Sequence, residues 1–359
     1  MERVYNFAPG PSTMPEEVLL KAQSEMLNYG GSGMSVMEMS HRGAVFSEIF
    51  SEAKSKLRAT LSIPDNYEIL FLQGGATLQF ASIPMNLICG GTADYAVTGN
   101  FSAKAAEEAE KYGYVNRICD TSSTGHDRIP GNEELKMSTD AKYLYYCANN
   151  TIFGTEWHYV PQTATPLVCD MSSNIMSTEI DVSKYALIYA GAQKNMAPAG
   201  LTVVIIDKSF AGRELPVTPK VMSYAVQIKN DSMLNTPPCW CIYMLSLTLD
   251  WIIKSGGLKA MDELRRERAG LIYDVLDDSD FYIPHAQPDS RSYMNVTFRT
   301  PSPELDAEFV KLAAEKGMVS LKGHRITGGI RASLYNAMPV EGARALADFM
   351  KDFEVKHHV

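Results

Sequence analysis

Two charged residues interrupt a part of the chain that otherwise reads as buried sheet. Leu167, Val168 and Cys169 form a short apolar run that ends at Asp170. Ala186 to Tyr189 form a second run, and Gly191, Ala192 and Gln193 lead from it to Lys194. Leu201 to Asp207, rich in Val and Ile, follows. Short apolar runs of this kind, bounded by small residues, are the signature of parallel strands buried on both faces. Asp and Lys are rarely buried without a partner, because an uncompensated charge loses its hydration. A chain that sets both at the ends of such strands must bring those ends to a common polar site.

The rest of the chain supplies further strands and the helices to cover them. Pro9, Gly10, Pro11 and Pro15 make residues 1–15 an extended arm. Pro15, Glu16 and Glu17 then open a helix in the way the helix dipole prefers. Phe46 to Leu61 has helical apolar spacing. Ile69 to Leu72 reads as a strand, Leu78 to Asn86 as a helix, Asp94 to Thr98 as a strand, Ser102 to Tyr112 as a helix and Lys142 to Cys147 as a strand. Alternation of this kind implies an α/β fold, a mostly parallel sheet between helices. Near Ser255, Gly256 and Gly257 the pattern changes. A long charged helix from Leu258 to Asp277, strands at Ser292–Arg299 and Gly329–Tyr335, and helices from Pro303 to Lys316 and after Pro339 make a smaller α+β module. The expected division is an arm (1–15), a large domain (16–255) and a small carboxyl-terminal domain (256–359).

Composition narrows the function classes. The chain has 359 residues, 45% hydrophobic and 21% charged, with a net charge of −9. That balance disfavours nucleic acid or an acidic membrane as partner. Six cysteines (Cys89, Cys119, Cys147, Cys169, Cys239 and Cys241) show no zinc-ligand spacing, so no metal is expected. Several lie in apolar runs, which fits a reducing cytoplasm. No stretch near the amino terminus has a signal-peptide core, and no apolar run reaches membrane-spanning length.

Several residues could carry chemistry. Gly74, Gly75, Ala76 and Thr77 stand between a strand and a helix, where free backbone amides can hold a phosphate. The stretch lacks the nucleotide-binding glycine fingerprints. Phe101 and Thr151 follow strand ends, one able to stack on a flat ring and the other able to hydrogen-bond its substituents. Lys194 and Asp170 match what pyridoxal phosphate (PLP) requires, an amine for its aldehyde and a carboxylate for its pyridinium nitrogen. Arg331 lies in an apolar strand and needs a carboxylate, from the protein or from a substrate. His324 and Arg325 make a compact anion site, and His41 and Arg42 lie in a Gly- and Met-rich loop.

Taken together these segments resemble the phosphoserine aminotransferases, PLP enzymes of fold type I in the class-V group. The matching pieces are Asn6 to Pro11, Ser40 to Gly43, Gly74 to Phe80, Asp170 to Ser173, Gln193 with Lys194, Asn235 to Pro238 with Ile242 to Leu245, and Gly328 to Ala337. The resemblance implies a seven-stranded sheet in the large domain, with the arm packed on the small one. It implies that Lys194 binds PLP and then moves the substrate's α-proton, that Asp170 pairs with the ring nitrogen and that Phe101 stacks on the ring. Ala76, Thr77 and Gln193 would hold the cofactor phosphate, and Thr151 the ring hydroxyl. Asn235 and Thr236 would reach that phosphate across the interface of a homodimer. Arg331 would take the substrate α-carboxylate, and His41, Arg42, His324 and Arg325 the substrate phosphate or the distal carboxylate of glutamate. Phe101 stands where the family usually has Trp, which removes an indole N–H. Thr77 stands where some members have Arg, which shifts weight onto the Arg and His cluster. The substrates expected are 3-phosphohydroxypyruvate and L-glutamate, giving O-phospho-L-serine and 2-oxoglutarate in serine biosynthesis, with the related step of pyridoxine synthesis left open. The nearest alternatives are a small-amino-acid–glyoxylate aminotransferase and a cysteine desulfurase. A nicotinamide oxidoreductase and a catalytically silent binding protein are the readings from other classes.

Overall fold

The computed structural model describes residues 3–358; Met1 and Glu2 of the expected arm and Val359 of the expected small domain lie outside the described residues. Seven strands form the central sheet: β1 (Tyr67–Leu72), β2 (Thr92–Val97), β3 (Tyr114–Asp120), β4 (Leu144–Cys147), β5 (Leu167–Asp170), β6 (Leu187–Gly191) and β7 (Thr202–Asp207). Their spatial order is β1-β7-β6-β5-β4-β2-β3. All neighbours pair in parallel except β7, which runs antiparallel to both β1 and β6. This is the fold-type I arrangement expected from the resemblance. The carboxyl ends of β1, β2, β4, β5 and β6 therefore share one edge, the usual place for a site in an open parallel sheet.

The helices follow from apolar spacing and from what each buries. They are α1 (Glu16–Ser24), α2 (Ala44–Thr60), α3 (Gly75–Leu87), α4 (Asn100–Ala109), α5 (Tyr224–Lys229), α6 (Cys239–Lys254), α7 (Gly257–Asp278), α8 (Pro303–Glu315) and α9 (Val340–His357). In α2 the buried set is Phe46, Ile49, Phe50, Ala53 and Leu57, one helical stripe, and it packs on α6. Among the elements without a counterpart in the sequence reading are β3 and α6, besides the short α5 and β8. Strand β3 sits at the sheet edge with one neighbour, so most of its residues stay partly exposed and show no apolar run. Helix α6 is apolar on most of its faces, because it lies between α2, α1 and α7, and so lacks the one-sided pattern of a surface helix. Among the described residues no helix is long and apolar enough to cross a membrane.

Beyond α6, strands β8 (Ile283–Pro284), β9 (Asn295–Arg299) and β10 (Ile330–Ser333) form an antiparallel sheet in that order. Helices α7 and α9 pack together beside it, and a second apolar cluster collects residues from Ala269 onward together with Phe7. The arm enters this cluster through a parallel pairing of Tyr5 and Asn6 with Met318 and Val319. Further along, the arm meets the loop after β6: the Ser12 backbone N–H donates to Gln193 O at 3.0 Å and its hydroxyl to Lys194 O. Gly10, at φ +133°, lies where an added Cβ would stand 3.4 Å from Lys194 Cγ.

Helix α7 is tied to the loop after β4 by a buried ion pair. Arg265 Nη1 lies 2.9 Å from Glu156 Oε1, and both side chains are almost wholly buried. Glu156 also accepts from the Tyr293 N–H and from Asn174 Nδ2. Glu156→Ala strands a buried guanidinium with Asp262 as its remaining partner. It should cost about 3–5 kcal/mol of unfolding free energy, measured by urea denaturation. Glu156→Gln, which keeps an acceptor for Arg265 and Asn174 but sets an amide NH2 against the Tyr293 N–H, should cost less, and an unchanged midpoint in both would contradict this.

Candidate active site

Lys194 sits in the turn between β6 and β7, at the carboxyl edge of the sheet. Its Nζ donates to Thr151 Oγ1 at 2.9 Å and stands 5.8 Å from the centre of the Phe101 ring. Thr151 follows β4, and Phe101 lies in the first turn of α4, which follows β2. Three residues far apart in sequence thus meet because their strands end on one edge. Asn195, next to the lysine, bridges both modules. Its Nδ2 donates to Ile175 O and its Oδ1 accepts from the Asn336 N–H.

Asp170 ends β5 and is 5% exposed. One carboxylate oxygen accepts the Ser172 N–H at 2.8 Å and the other the Tyr189 hydroxyl at 3.0 Å. These donors support a charged carboxylate in a buried place, and each oxygen retains acceptor capacity for a further N–H. That is the acceptor a pyridinium N–H requires.

The expected phosphate cup lies at the start of α3. Gly74, at φ +91°, caps α3 without any side-chain hydrogen bond, so the first amides of the helix remain free. A Cβ at Gly74 would come within 2.8 Å of Leu78 Cβ, so glycine is required for both conformation and space. Ala76 and Thr77 lie in this first turn, and Thr77 lines a cavity with Phe101 and Lys104. Asn235 and Thr236 are exposed beside Gln73 of the same chain, whose Nε2 donates to Thr236 O at 2.9 Å. Gln193 is half-buried, and its backbone carbonyl is held by Ser12.

Arg331, in β10, is buried and reaches across to the large module, where Nη1 donates to Thr151 O at 3.3 Å. Its Nε has no partner and no carboxylate pairs with it among the described residues; burial pulls its pKa below the ordinary value. An internal salt bridge is thus not what keeps an arginine there. His324 and Arg325 lie in the turn before β10. The His324 imidazole is held below its usual value, first by desolvation and then by the charges of Arg331, Arg325 and Lys104. Lys104, on α4 one turn beyond Phe101, was not singled out from sequence, where it reads as one more surface lysine. The spacing from Phe101 along a helix is the signal that could have found it. Among the described residues no hydrogen bond or ion pair joins His41 or Arg42 to this group, although His41 Nε2 is buried without a partner.

The thiols offer no nucleophile here. Burial drives Cys147 and Cys169 well above the ordinary range, with Asp170 adding to the shift, and pushes Cys119 up to about 12. A desulfurase would need the opposite.

Lys194, Thr151, Phe101 and Arg331 thus meet at the carboxyl edge of the sheet, the edge at which Asp170 ends β5 and α3 begins. Comparison with known proteins agrees. The family profile described as aminotransferase class-V matches residues 4–346. The chain is 48% identical over 362 aligned positions to the phosphoserine aminotransferase of Janthinobacterium sp. (strain Marseille), covering 99% of this chain and 100% of that one. It superposes on phosphoserine aminotransferase from Bacillus circulans subsp. alkalophilus with TM-score 0.97, 44% identity and 99% of both chains covered. PLP-bound phosphoserine aminotransferase from Trichomonas vaginalis gives TM-score 0.94 at 41% identity, over 97% of this chain and 100% of that one. The chain belongs to the class-V aminotransferases, in the group of the phosphoserine aminotransferases.

Proposed function

We propose that this protein moves an amino group reversibly between L-glutamate and 3-phosphohydroxypyruvate, forming 2-oxoglutarate and O-phospho-L-serine, with PLP as cofactor. The observation that carries the reading is the cluster at the sheet edge. Lys194 Nζ is held 2.9 Å from Thr151 Oγ1 beside the Phe101 ring, while Arg331 arrives from the other module with no carboxylate paired to it among the described residues. PLP, when bound, supplies an electron sink for the charge left when the substrate α-carbon loses its proton.

The chain's own groups do the rest. Lys194 Nζ would hold the cofactor aldehyde, and its amine would carry the proton to and from the substrate α-carbon. Asp170 would keep a proton on the ring nitrogen, Phe101 would stack on the ring, and Thr151 would hold the ring hydroxyl. The amides of Ala76 and Thr77, with Gln193, hold the phosphate. Arg331 presents a planar fork to the α-carboxylate, which supplies the counter-charge that the protein does not. His324 and Arg325, with His41 and Arg42, receive the substrate phosphate or the distal carboxylate. Asn235 and Thr236, exposed at one chain's edge, suit a homodimer in which each serves its partner's cofactor. Residues 1–15, 16–255 and 256–359 serve as arm, cofactor-binding domain and substrate-carboxylate domain; the two apolar clusters part within α7, with Leu258 and Met261 in the first and Ala269 onward in the second. The buried free thiols suit the cytoplasm.

Titration of the holoenzyme's visible absorption with L-phosphoserine and with L-serine tests the assignment. Phosphoserine should bleach the cofactor band at far lower concentration; equal response to serine would assign a different aminotransferase. Lys194→Ala should abolish turnover with an unchanged circular dichroism spectrum, and near-wild-type activity would overturn its role. The depressed pKa of His324 gives a pH dependence. An anion bound there raises that pKa, so binding takes up a proton and tightens as pH falls. The dissociation constant of glutamate, whose distal carboxylate stays charged through neutrality, should fall from pH 8 to pH 6, and His324→Gln should flatten that slope.

A further inference from the structure

Behind Asp170 lies a file of buried tyrosines that the sequence reading left in the core. Parallel pairing of β5 and β6 sets Asp170 opposite Tyr189, and pairing of β4 and β5 sets Cys147 opposite Asp170. Tyr145, two residues before Cys147, lies on the same face. The Tyr145 and Tyr189 hydroxyl oxygens are 2.8 Å apart, and Tyr189 donates to Asp170 Oδ2 at 3.0 Å. An ionised carboxylate only accepts, so the one Tyr189 proton points at Asp170 and Tyr145 must donate to Tyr189. Tyr145 is itself held by stacking on Tyr95, with ring centres 4.8 Å apart, and the Tyr95 hydroxyl is 2.7 Å from that of Tyr143. Both Tyr145 and Tyr189 are about 1% exposed, and water has no access to replace them.

We infer that Tyr189, polarised by Tyr145, is a positioning residue for the cofactor: it holds Asp170 Oδ2 and tempers the carboxylate's pull on the cofactor's ring proton. The inference rests on the reading that Asp170 faces that nitrogen. Two linked hydrogen bonds strengthen one another in a low-dielectric interior. Their aggregate effect is to stabilise the charge on Asp170 without neutralising it, because burial and the nearby Asp170 charge keep both phenols protonated throughout the working pH range. With the Ser172 N–H on the other oxygen, the carboxylate plane is fixed at two points. Removing the Tyr189 hydroxyl leaves Oδ2 a stronger base with one anchor fewer. With PLP bound, the ring proton would be drawn toward Asp170, and the ring would withdraw electrons less from the Lys194 nitrogen.

Tyr189→Phe and Tyr145→Phe keep the ring volume, and Asp170→Asn serves as control. PLP affinity is measured by titrating each apoprotein, and the pH midpoint of the bound cofactor's visible absorption by spectrophotometry. Tyr189→Phe should weaken PLP binding about tenfold and move the midpoint to higher pH. Tyr145→Phe should shift both in the same direction by less. A packing role alone would lower the melting temperature and leave the midpoint in place, and that result would overturn the inference. So would wild-type affinity and midpoint in Tyr189→Phe when Asp170→Asn alters both. Should Asp170→Asn alter neither, the placement of Asp170 itself fails and the inference with it.

Discussion

The parallel pairing of β4, β5 and β6 is the constraint on which the site depends. It sets the ends of three strands side by side, so that Thr151, Asp170 and Lys194 leave the sheet at one edge. The contact between Lys194 and Thr151 joins residues 43 apart in sequence. The strands are buried on both faces, so their apolar side chains hold the register from above and below. A slip of one residue would turn Asp170 to the opposite face, away from Tyr189.

On this frame the site is assembled from parts with separate reasons for their positions. The phosphate cup is a helix start, and needs only a glycine in the left-handed region and unshared amides. The carboxylate depends on its neighbours for donors. Arg331 comes from the second module, and the arm locks the two together by pairing with Met318 and Val319 and then holding the carbonyls of Gln193 and Lys194. An acidic protein thereby keeps a small cationic region, where the charges of Arg331, Arg325 and Lys104 all act on His324.

Much of this was legible before folding. Apolar runs around Asp170 and Lys194, the Gly74-Gly75 turn and the arginine inside an apolar strand each carried a physical oddity that named its chemistry. What stayed illegible had no oddity to show. Lys104 reads as a solvated helix residue, because its relation to His324 spans two modules. Tyr145 and Tyr189 read as core aromatics, because a phenol's partner is invisible until the strands are paired. Strand β3 escaped for want of an apolar run at a sheet edge, and α6 for want of a polar face.

The sequence by itself determined the kind of sheet, the helices that cover most of it and the residue types able to hold a phosphate, a ring nitrogen and an aldehyde, since each follows from local spacing and from the cost of burying charge. The tertiary structure alone decided that Lys194 meets Thr151 and Phe101, that Arg331 pairs with no carboxylate among the described residues and that Asp170 rests on a tyrosine pair. Those facts depend on strand register and on the docking of one module against another, which are set by contacts between residues far apart in the chain.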